Sequence, residues 1–155
     1  LSFNSFQSNI EPKKENKIIK KDPNNDILRQ PLKKFIKLHS SEIYDLSFNY
    51  NGNWMASCGG DRTIKVIDTK NMKITSSIRS KSAENVFVNV AMDYSGDRLL
   101  TGSTDKTVGL YNSQTGKHIH SLLGHGGKVN SVCWTSLREK CASGSEDKQL
   151  KIWDV

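Results

Sequence analysis

From residue 39 to residue 155, apolar and polar positions alternate in short runs, each closed by Gly, Asn, Asp or Ser. The clearest stretch is Gly124 to Val155. Val129, Val132 and Trp134 form one run with small or polar residues between them. After a turn at Ser136–Glu139 comes Cys141-Ala142-Ser143-Gly144, and after Glu146-Asp147-Lys148 comes Leu150-Lys151-Ile152-Trp153. Successive side chains of a strand point to opposite faces, so this alternation between turn signals predicts consecutive antiparallel strands. Read along the chain, the pattern predicts strands at 43–48, 54–58, 63–67 and 73–78; at 87–92, 98–102, 107–111 and 117–122; and at 129–134, 140–144 and 149–153. Asn51-Gly52, Ser95-Gly96 and Thr115-Gly116 supply hairpin turns. Leu32–His39 looks like Lys117–His125, a strand running into a histidine, and predicts an outer strand at Phe35–Leu38.

These groups are repeats, near 39–78, 83–122 and 125–155, and they make the fold class all-β. His39 precedes Asp61 by 22 residues, as His125 precedes Asp147; the same count back from Asp105 lands on Ala83. Ser57, Thr101 and Ser143 each lie four residues before their aspartate, and Ile67, Tyr111 and Trp153 six after it. The period is 44 residues and then 42.

Residues 1–31 break the pattern. They are rich in Asn, Lys, Ser and Pro and are expected to be a disordered basic linker, since they bury too little apolar area to offset chain entropy. The net charge of +7 is concentrated there: residues 1–38 hold nine Lys/Arg against four Asp/Glu, whereas residues 39–155 hold fourteen against twelve. Lys13, Lys14, Lys17, Lys20 and Lys21 could touch an acidic membrane or a nucleic acid; the plainer expectation is a solvated charged linker. Phe3 and Phe6 are similarly read as part of a polar tail. The chain opens on Leu1 with no signal-peptide pattern, and is expected to be a piece of a longer protein. Mean hydropathy is −0.59 and no apolar run approaches the length of a membrane-spanning helix. Cys58, Cys133 and Cys141 lack CxxC spacing and are expected to be small core residues in a reducing compartment.

Gly124-His125 ahead of the third repeat and Trp153-Asp154 at its end are the landmarks of a WD repeat, and residues 32–155 resemble the WD-repeat family. The resemblance implies a β-propeller. Because only two complete four-stranded blades and three further strands are present, it implies a partial one. It also implies a structural role for four polar types: Trp153 N–H to the Ser143 hydroxyl, to His125, to Asp147. Ser, His and Asp together invite a nucleophilic triad, but there is no Gly-x-Ser-x-Gly elbow and no oxyanion donor set, so no enzymatic activity is expected. The first repeat keeps His39, Ser57 and Asp61 but has Ile67 for Trp. The second keeps Thr101 and Asp105 but has Ala83 and Tyr111. Partial networks are therefore expected there, with more reliance on apolar packing. His118 and His120 are read as exposed residues alternating on one face of an outer strand. Neither metal nor cofactor is expected.

Such a network would hold the aspartate turns and the loops 40–42, 83–86 and 126–128 at one end of the molecule. That end would present Tyr44, Arg62, Lys106 and Lys128, a mixed-charge surface suited to protein partners; a phosphate backbone wants a groove of one sign. Within the WD-repeat family the order of repeats most resembles the C-terminal propeller of the autophagy-related protein 16 family. The grounds are Glu42-Ile43-Tyr44-Asp45-Leu46-Ser47-Phe48 after a lone His, then Asp93-Tyr94-Ser95-Gly96 with Leu99-Leu100, then Gly124-His125-Gly126-Gly127-Lys128-Val129. That resemblance implies a cytoplasmic adaptor, recruited to autophagic membranes, that positions a ubiquitin-like conjugation machinery. A scaffold of another complex, such as a ubiquitin ligase or a cytoskeletal assembly, or a chromatin-associated protein, is the alternative.

Overall fold

Short runs of β-branched and small residues between Gly- and Asp-bearing turns leave the backbone one way to satisfy its N–H and C=O groups, which is pairing with the neighbouring run. The structure, a computed structural model, describes residues 36–135 and 139–155. The chain divides into two units, Leu1–Phe35 and Ile36–Val155. The linker expected over 1–31, Phe35 and positions 136–138 of the Ser136–Glu139 turn lie outside the described residues. Among the described residues there are eleven strands and no helix.

The strands are β1 (Ile43–Phe48), β2 (Trp54–Gly59), β3 (Thr63–Asp68), β4 (Lys73–Arg79), β5 (Phe87–Met92), β6 (Arg98–Ser103), β7 (Val108–Asn112), β8 (His118–Leu122), β9 (Val129–Trp134), β10 (Lys140–Ser145) and β11 (Leu150–Asp154). They form three antiparallel meanders: β1-β2-β3-β4, β5-β6-β7-β8 and β9-β10-β11. This is the architecture of a partial WD-repeat propeller. The outer strand expected at Phe35–Leu38 finds no partner among the described residues. Ile36, Lys37 and Leu38 carry no strand, because a strand exists only where a neighbour takes its ladder bonds and none of the three sheets extends to this segment.

The first strands of the three sheets lie side by side, β1 against β5 and β5 against β9. The core sits between the sheets. Ala56, Cys58, Ile64 and Val66 of the first sheet pack on Phe87, Val90, Met92 and Leu99 of the second. Leu100, Val108 and Leu110 of the second pack on Val129, Val132 and Cys141 of the third, flanked by Trp134 and Trp153. Polar bonds stitch the same joints. Asp45 Oδ2 accepts from the Val90 N–H at 2.9 Å and from the Asn89 amide, and Ser47 Oγ accepts from the Met92 N–H at 3.1 Å. Asn89 Oδ1 then accepts from the Val132 N–H at 2.6 Å, and the Trp134 indole N–H donates to the Ala91 carbonyl at 3.0 Å.

Each first strand carries the same irregularity. The register with its neighbour slips between Ile43 and Asp45, between Phe87 and Asn89, and opposite Gly144–Ser145, where Val129 pairs with Ser145 and Ser131 with Gly144. Tyr44, Val88 and Asn130 are the extra residues. A bulge adds one residue, bends the strand and re-aims a side chain. A further slip in β8 corrects the reading of the histidines. His118 pairs with Tyr111 and His120 with Leu110, which face opposite sides of the sheet, so His118 and His120 do not share a face. Cys58 and Cys141 are buried, but Cys133 is exposed; it lies on the side of the third sheet that no other sheet covers, which corrects the expectation that all three cysteines are core residues.

Candidate functional site

The turns between the second and third strands of each sheet are built alike. Arg62, Lys106 and Lys148 have φ of 66°, 70° and 67°, the left-handed residue that closes a type I turn into a bulged hairpin. The preceding aspartate faces the loop before the sheet. That loop is bonded to the turn in all three cases: the Gly60 N–H to the Glu42 carbonyl at 2.8 Å, Thr104 to Val86 at 3.1 Å and Glu146 to Lys128 at 2.9 Å. Turns and loops therefore occupy one end of the described unit.

In the third sheet the structure brings His125, Ser143, Asp147 and Trp153 together. The Trp153 indole N–H donates to Ser143 Oγ at 2.8 Å, Ser143 Oγ lies 2.8 Å from His125 Nε2, and His125 Nδ1 lies 2.7 Å from Asp147 Oδ2. A carboxylate only accepts, so the imidazole proton sits on Nδ1 and Nε2 accepts from the Ser143 hydroxyl. The Gly126 N–H also donates to Asp147 Oδ2 at 2.9 Å and the Gln149 N–H to Oδ1 at 2.9 Å. Burial pushes the Asp147 carboxyl up, but the Gly126 N–H, His125 and the Gln149 N–H outweigh it and hold the group well below the usual carboxylate range. Ser143 is 2% exposed, and its oxygen already takes the indole N–H. Buried and held between the indole and the imidazole, it lacks the access that attack on a substrate requires. Every member of the chain has its partners, the condition under which a buried polar network stabilises.

The first sheet brings three of its residues together. His39 Nδ1 is 3.0 Å from Asp61 Oδ1, and His39 Nε2 is 2.8 Å from Ser57 Oγ. Thr63 joins them, its hydroxyl donating to Asp61 Oδ1 at 2.7 Å. Burial raises the Asp61 carboxyl, while His39, the Thr63 hydroxyl and N–H and the Ser40 N–H hold it well below the usual range. Ile67, fully buried, fills the indole's place. In the second sheet Thr101 and Asp105 are not joined. The Thr101 hydroxyl turns to the Gly109 carbonyl at 3.5 Å, and Asp105 Oδ2 takes the Asn85 amide at 3.2 Å. Asn85 thus supplies the donor that Ala83 lacks. Tyr111 stands edge-on to Phe87, ring centroids 6.1 Å apart.

Of the four surface residues singled out in the sequence, Tyr44 and Lys128 come together. With Val86, Val88, Thr104 and Asn130 they line an open cleft of about 450 Å³. Its walls include all three bulged residues, Tyr44, Val88 and Asn130, so the bulges aim one side chain per sheet into a common space. Lys128 Nζ lies 3.7 Å from Glu146 Oε1. Arg62 and Lys106 do not line the cleft; the Arg62 guanidinium donates to the Ala83 carbonyl at 2.6 Å. Val86, Val88 and Thr104 were missed in the sequence. The same 44- and 42-residue offsets that align the aspartates connect Tyr44 to Val88 and Asn130, and would have found two of the three bulges' side chains from the first. Burial pushes the Cys58 thiol up to about 12 and the Cys141 thiol to about 11, so both stay protonated and unreactive. Among the described residues no cluster of His, Cys, Asp or Glu has the arrangement of a metal site.

Comparison with known proteins gives a consistent picture. Residues 29–68 and 116–154, together half of the chain, match the family model described as WD domain, G-beta repeat. The chain is 33% identical over 117 residues to protein tipD of Dictyostelium discoideum, covering 76% of this chain and 19% of tipD. It is 30% identical to the U5 small nuclear ribonucleoprotein 40 kDa protein of the same organism, over 83% of this chain and 36% of that protein. It is 28% identical to the nuclear distribution protein nudF 1 of Talaromyces marneffei, over 86% and 29%. The chain therefore spans between a fifth and two-fifths of the length of these curated relatives. Among solved structures, that of U3-55K superposes with a TM-score of 0.70 at 19% identity, over 76% of this chain and 37% of that one, a likeness of fold.

Proposed function

This chain belongs to the WD-repeat family, and on that premise we propose that it is a non-enzymatic scaffold that binds a protein partner in the cleft at its aspartate-turn end. The observation that carries this reading is the convergence of Tyr44, Val88 and Asn130 from three bulges, with Lys128 at the rim. Val86 and Val88 give the cleft an apolar floor. Tyr44, half exposed, offers a rigid ring at low ordering cost, and Thr104 and Asn130 offer hydrogen bonds. Lys128 adds a charge that steers an acidic segment toward the cleft. Bulged strands and network-held turns keep these groups in place before a partner arrives.

The relatives' names point to different assemblies, which supports the scaffold class rather than one complex. The finer reading is an autophagy adaptor, cytoplasmic and recruited to autophagic membranes, that positions ubiquitin-like conjugation there. It rests on the order of repeats around Glu42–Phe48, Asp93–Gly96 and Gly124–Val129, with contact of Lys13–Lys21 to an acidic membrane as an accessory feature.

The test is pull-down from the full-length protein. Tyr44→Ala should weaken partner capture by about 2 kcal/mol, roughly 30-fold, the size of an interface hot spot. Lys128→Glu should act chiefly on the association rate. Arg62 and Lys106 substitutions should do less, and Asn51→Ala and Asp97→Ala at the opposite end should do nothing. Loss of capture through Asn51 or Asp97 would place the partner elsewhere. Recovery of ubiquitin-like conjugation components supports the autophagy reading; recovery of an unrelated complex leaves only the scaffold.

A further inference from the structure

The bonds that tie each turn to its loop pick out equivalent residues: Gly60 with Glu42, Thr104 with Val86 and Glu146 with Lys128. The 44- and 42-residue offsets agree. From the first sheet to the third, the loop position therefore holds an acid, an apolar residue and a base. The turn position holds glycine, threonine and glutamate. In the second and third sheets the turn side chain is committed. Thr104 Oγ1 accepts from the Val86 N–H at 2.9 Å, and Glu146 Oε1 lies 3.7 Å from Lys128 Nζ. In the first sheet the turn has no side chain to offer.

What stands over Gly60 instead is oxygen. A methyl built there would lie 2.8 Å from Ser41 Oγ, 2.9 Å from Glu42 Oε2 and 2.9 Å from the Tyr44 hydroxyl. Three oxygens thus converge on one point that the glycine leaves empty. The Ser41 hydroxyl donates to Glu42 Oε2. Among the described residues no lysine, arginine or histidine forms an ion pair with Glu42, so its charge is not neutralised there. The cradle borders the cleft through Tyr44, which lines it. Val86 and Val88, at the same positions in a sheet flanked on both sides, also open onto the cleft. Openness at these positions therefore belongs to this end of the sheets, whatever lies beside the first one.

We propose that the cradle over Gly60 takes the cationic group of a basic residue in an extended segment of the protein partner, with an apolar residue on Val86 and Val88 and an acidic residue at Lys128, in that order across the sheets. This rests on the reading of the cleft as a partner site and adds a direction to it. An ammonium has three N–H donors and no acceptor, which suits a point ringed by three oxygens. The basic residue is the stronger determinant, because Glu42 is unpaired among the described residues whereas an acid at Lys128 competes with Glu146.

The test is selection from a library of random peptides displayed on phage, against the full-length protein. Affinities of the selected peptides are then measured for single-residue variants whose thermal melts are unchanged. The peptides should carry a basic residue on one side of an apolar one and an acid on the other. Gly60→Ala fills the cradle with a methyl, at a residue outside the left-handed backbone region. It should weaken binding roughly tenfold, the scale of one charge-assisted hydrogen bond. Glu42→Gln should do the same, as should Tyr44→Phe, which keeps the ring and removes the hydroxyl. Acetylating the peptide's lysine should cost a similar factor and abolish the effect of Gly60→Ala. Selection on Glu42→Arg should enrich an acid where the base stood, and selection on Lys128→Glu a base where the acid stood. Peptides with no basic residue enriched overturn the proposal, as does an unchanged preference in Glu42→Arg. If Gly60→Ala and Tyr44→Phe bind normally while Tyr44→Ala does not, the cradle falls and the cleft stands. If Tyr44→Ala also binds normally, or no peptide is enriched, the reading of the cleft falls with it.

Discussion

In the second sheet Tyr111 lies edge-on to Phe87 and crowds Gly109, and Thr101 turns to a backbone carbonyl. At the same positions the third sheet has Trp153, Val129 and Lys151, and Ser143 joins the indole to His125 and Asp147. The second sheet is covered on both sides, by the first sheet and by the third. The third is covered on one. Each fully buried Leu or Val contributes about 1.5–3 kcal/mol, so a sheet covered twice tolerates the loss of a polar chain worth about one such side chain. Among the described residues the first and third sheets are each covered once; the third keeps all four members, and the first keeps three and buries Ile67 in the indole's place. One strand pattern thus admits two means of holding its turn to its loop.

The strongest test of that contrast is truncation of matched apolar residues. Leu110→Ala should cost about 2–5 kcal/mol by urea denaturation, the range for a buried leucine. Ile152→Ala, its counterpart, is 67% exposed and should cost less than about 0.5 kcal/mol. Similar costs would mean that the third sheet is covered after all.

A smaller effect separates the networks. His125→Ala leaves the Ser143 hydroxyl and the Asp147 carboxylate short of a partner and should lower stability by about 1–3 kcal/mol. Asp105→Ala removes bonds from Asn85 and Thr107 at an exposed turn and should cost nearer the 0.5–1.5 kcal/mol of an ordinary bond. If the two matched, the four-residue chain would have no special standing.

The smallest effect is on acid sensitivity. Asp61 and Asp147 are held below their ordinary value of 3.8, so the unfolded chain binds protons more readily than the folded one. Their stabilisation is complete above 3.8 and is lost as pH falls from there toward the depressed folded-state values. Asp147→Asn should flatten the fall in urea midpoint below about pH 4, and Asp61→Asn should do the same for the first sheet. An unchanged acid limb would place the sensitivity in other carboxylates.

Turn chemistry and period-two alternation located the eleven strands, because both act within a few residues. The fixed interval from histidine to aspartate made the polar landmarks visible for the same reason. Bulges were not visible. Counting by twos assumes an unbroken ladder, and a bulge is a property of two paired strands. For that reason Val88 went unnoticed in the cleft and His118 and His120 were assigned to one face. Phe35–Leu38 looked like a strand by its likeness to Lys117–His125, but strand formation depends on a neighbour, and Ile36–Leu38 have none among the described residues. Cys133 reads as a core residue in sequence; its exposure follows from which sheet comes next to it, and no local pattern encodes that. Asn85 could stand in for a histidine two positions away only because the loop between Ala83 and Val86 brings its amide to Asp105.

The clasps between first strands run in one direction. Asp45 and Ser47 hold backbone N–H groups of the second sheet, Asn89 holds one of the third, and the Ala91 carbonyl holds the Trp134 indole. In the flanking loops the Tyr50 N–H, the Asn49 amide and Arg62 donate the other way, whereas in these strand-to-strand clasps the acceptor belongs to the earlier sheet and the donor to the later. That is also the order in which a ribosome releases them. At about 5–20 residues per second, a new repeat emerges roughly 2–9 seconds after the last, a long interval beside the microseconds a hairpin needs. Each newly made strand therefore meets a finished surface with its acceptors already in position, and the molecule is assembled by addition at one growing face.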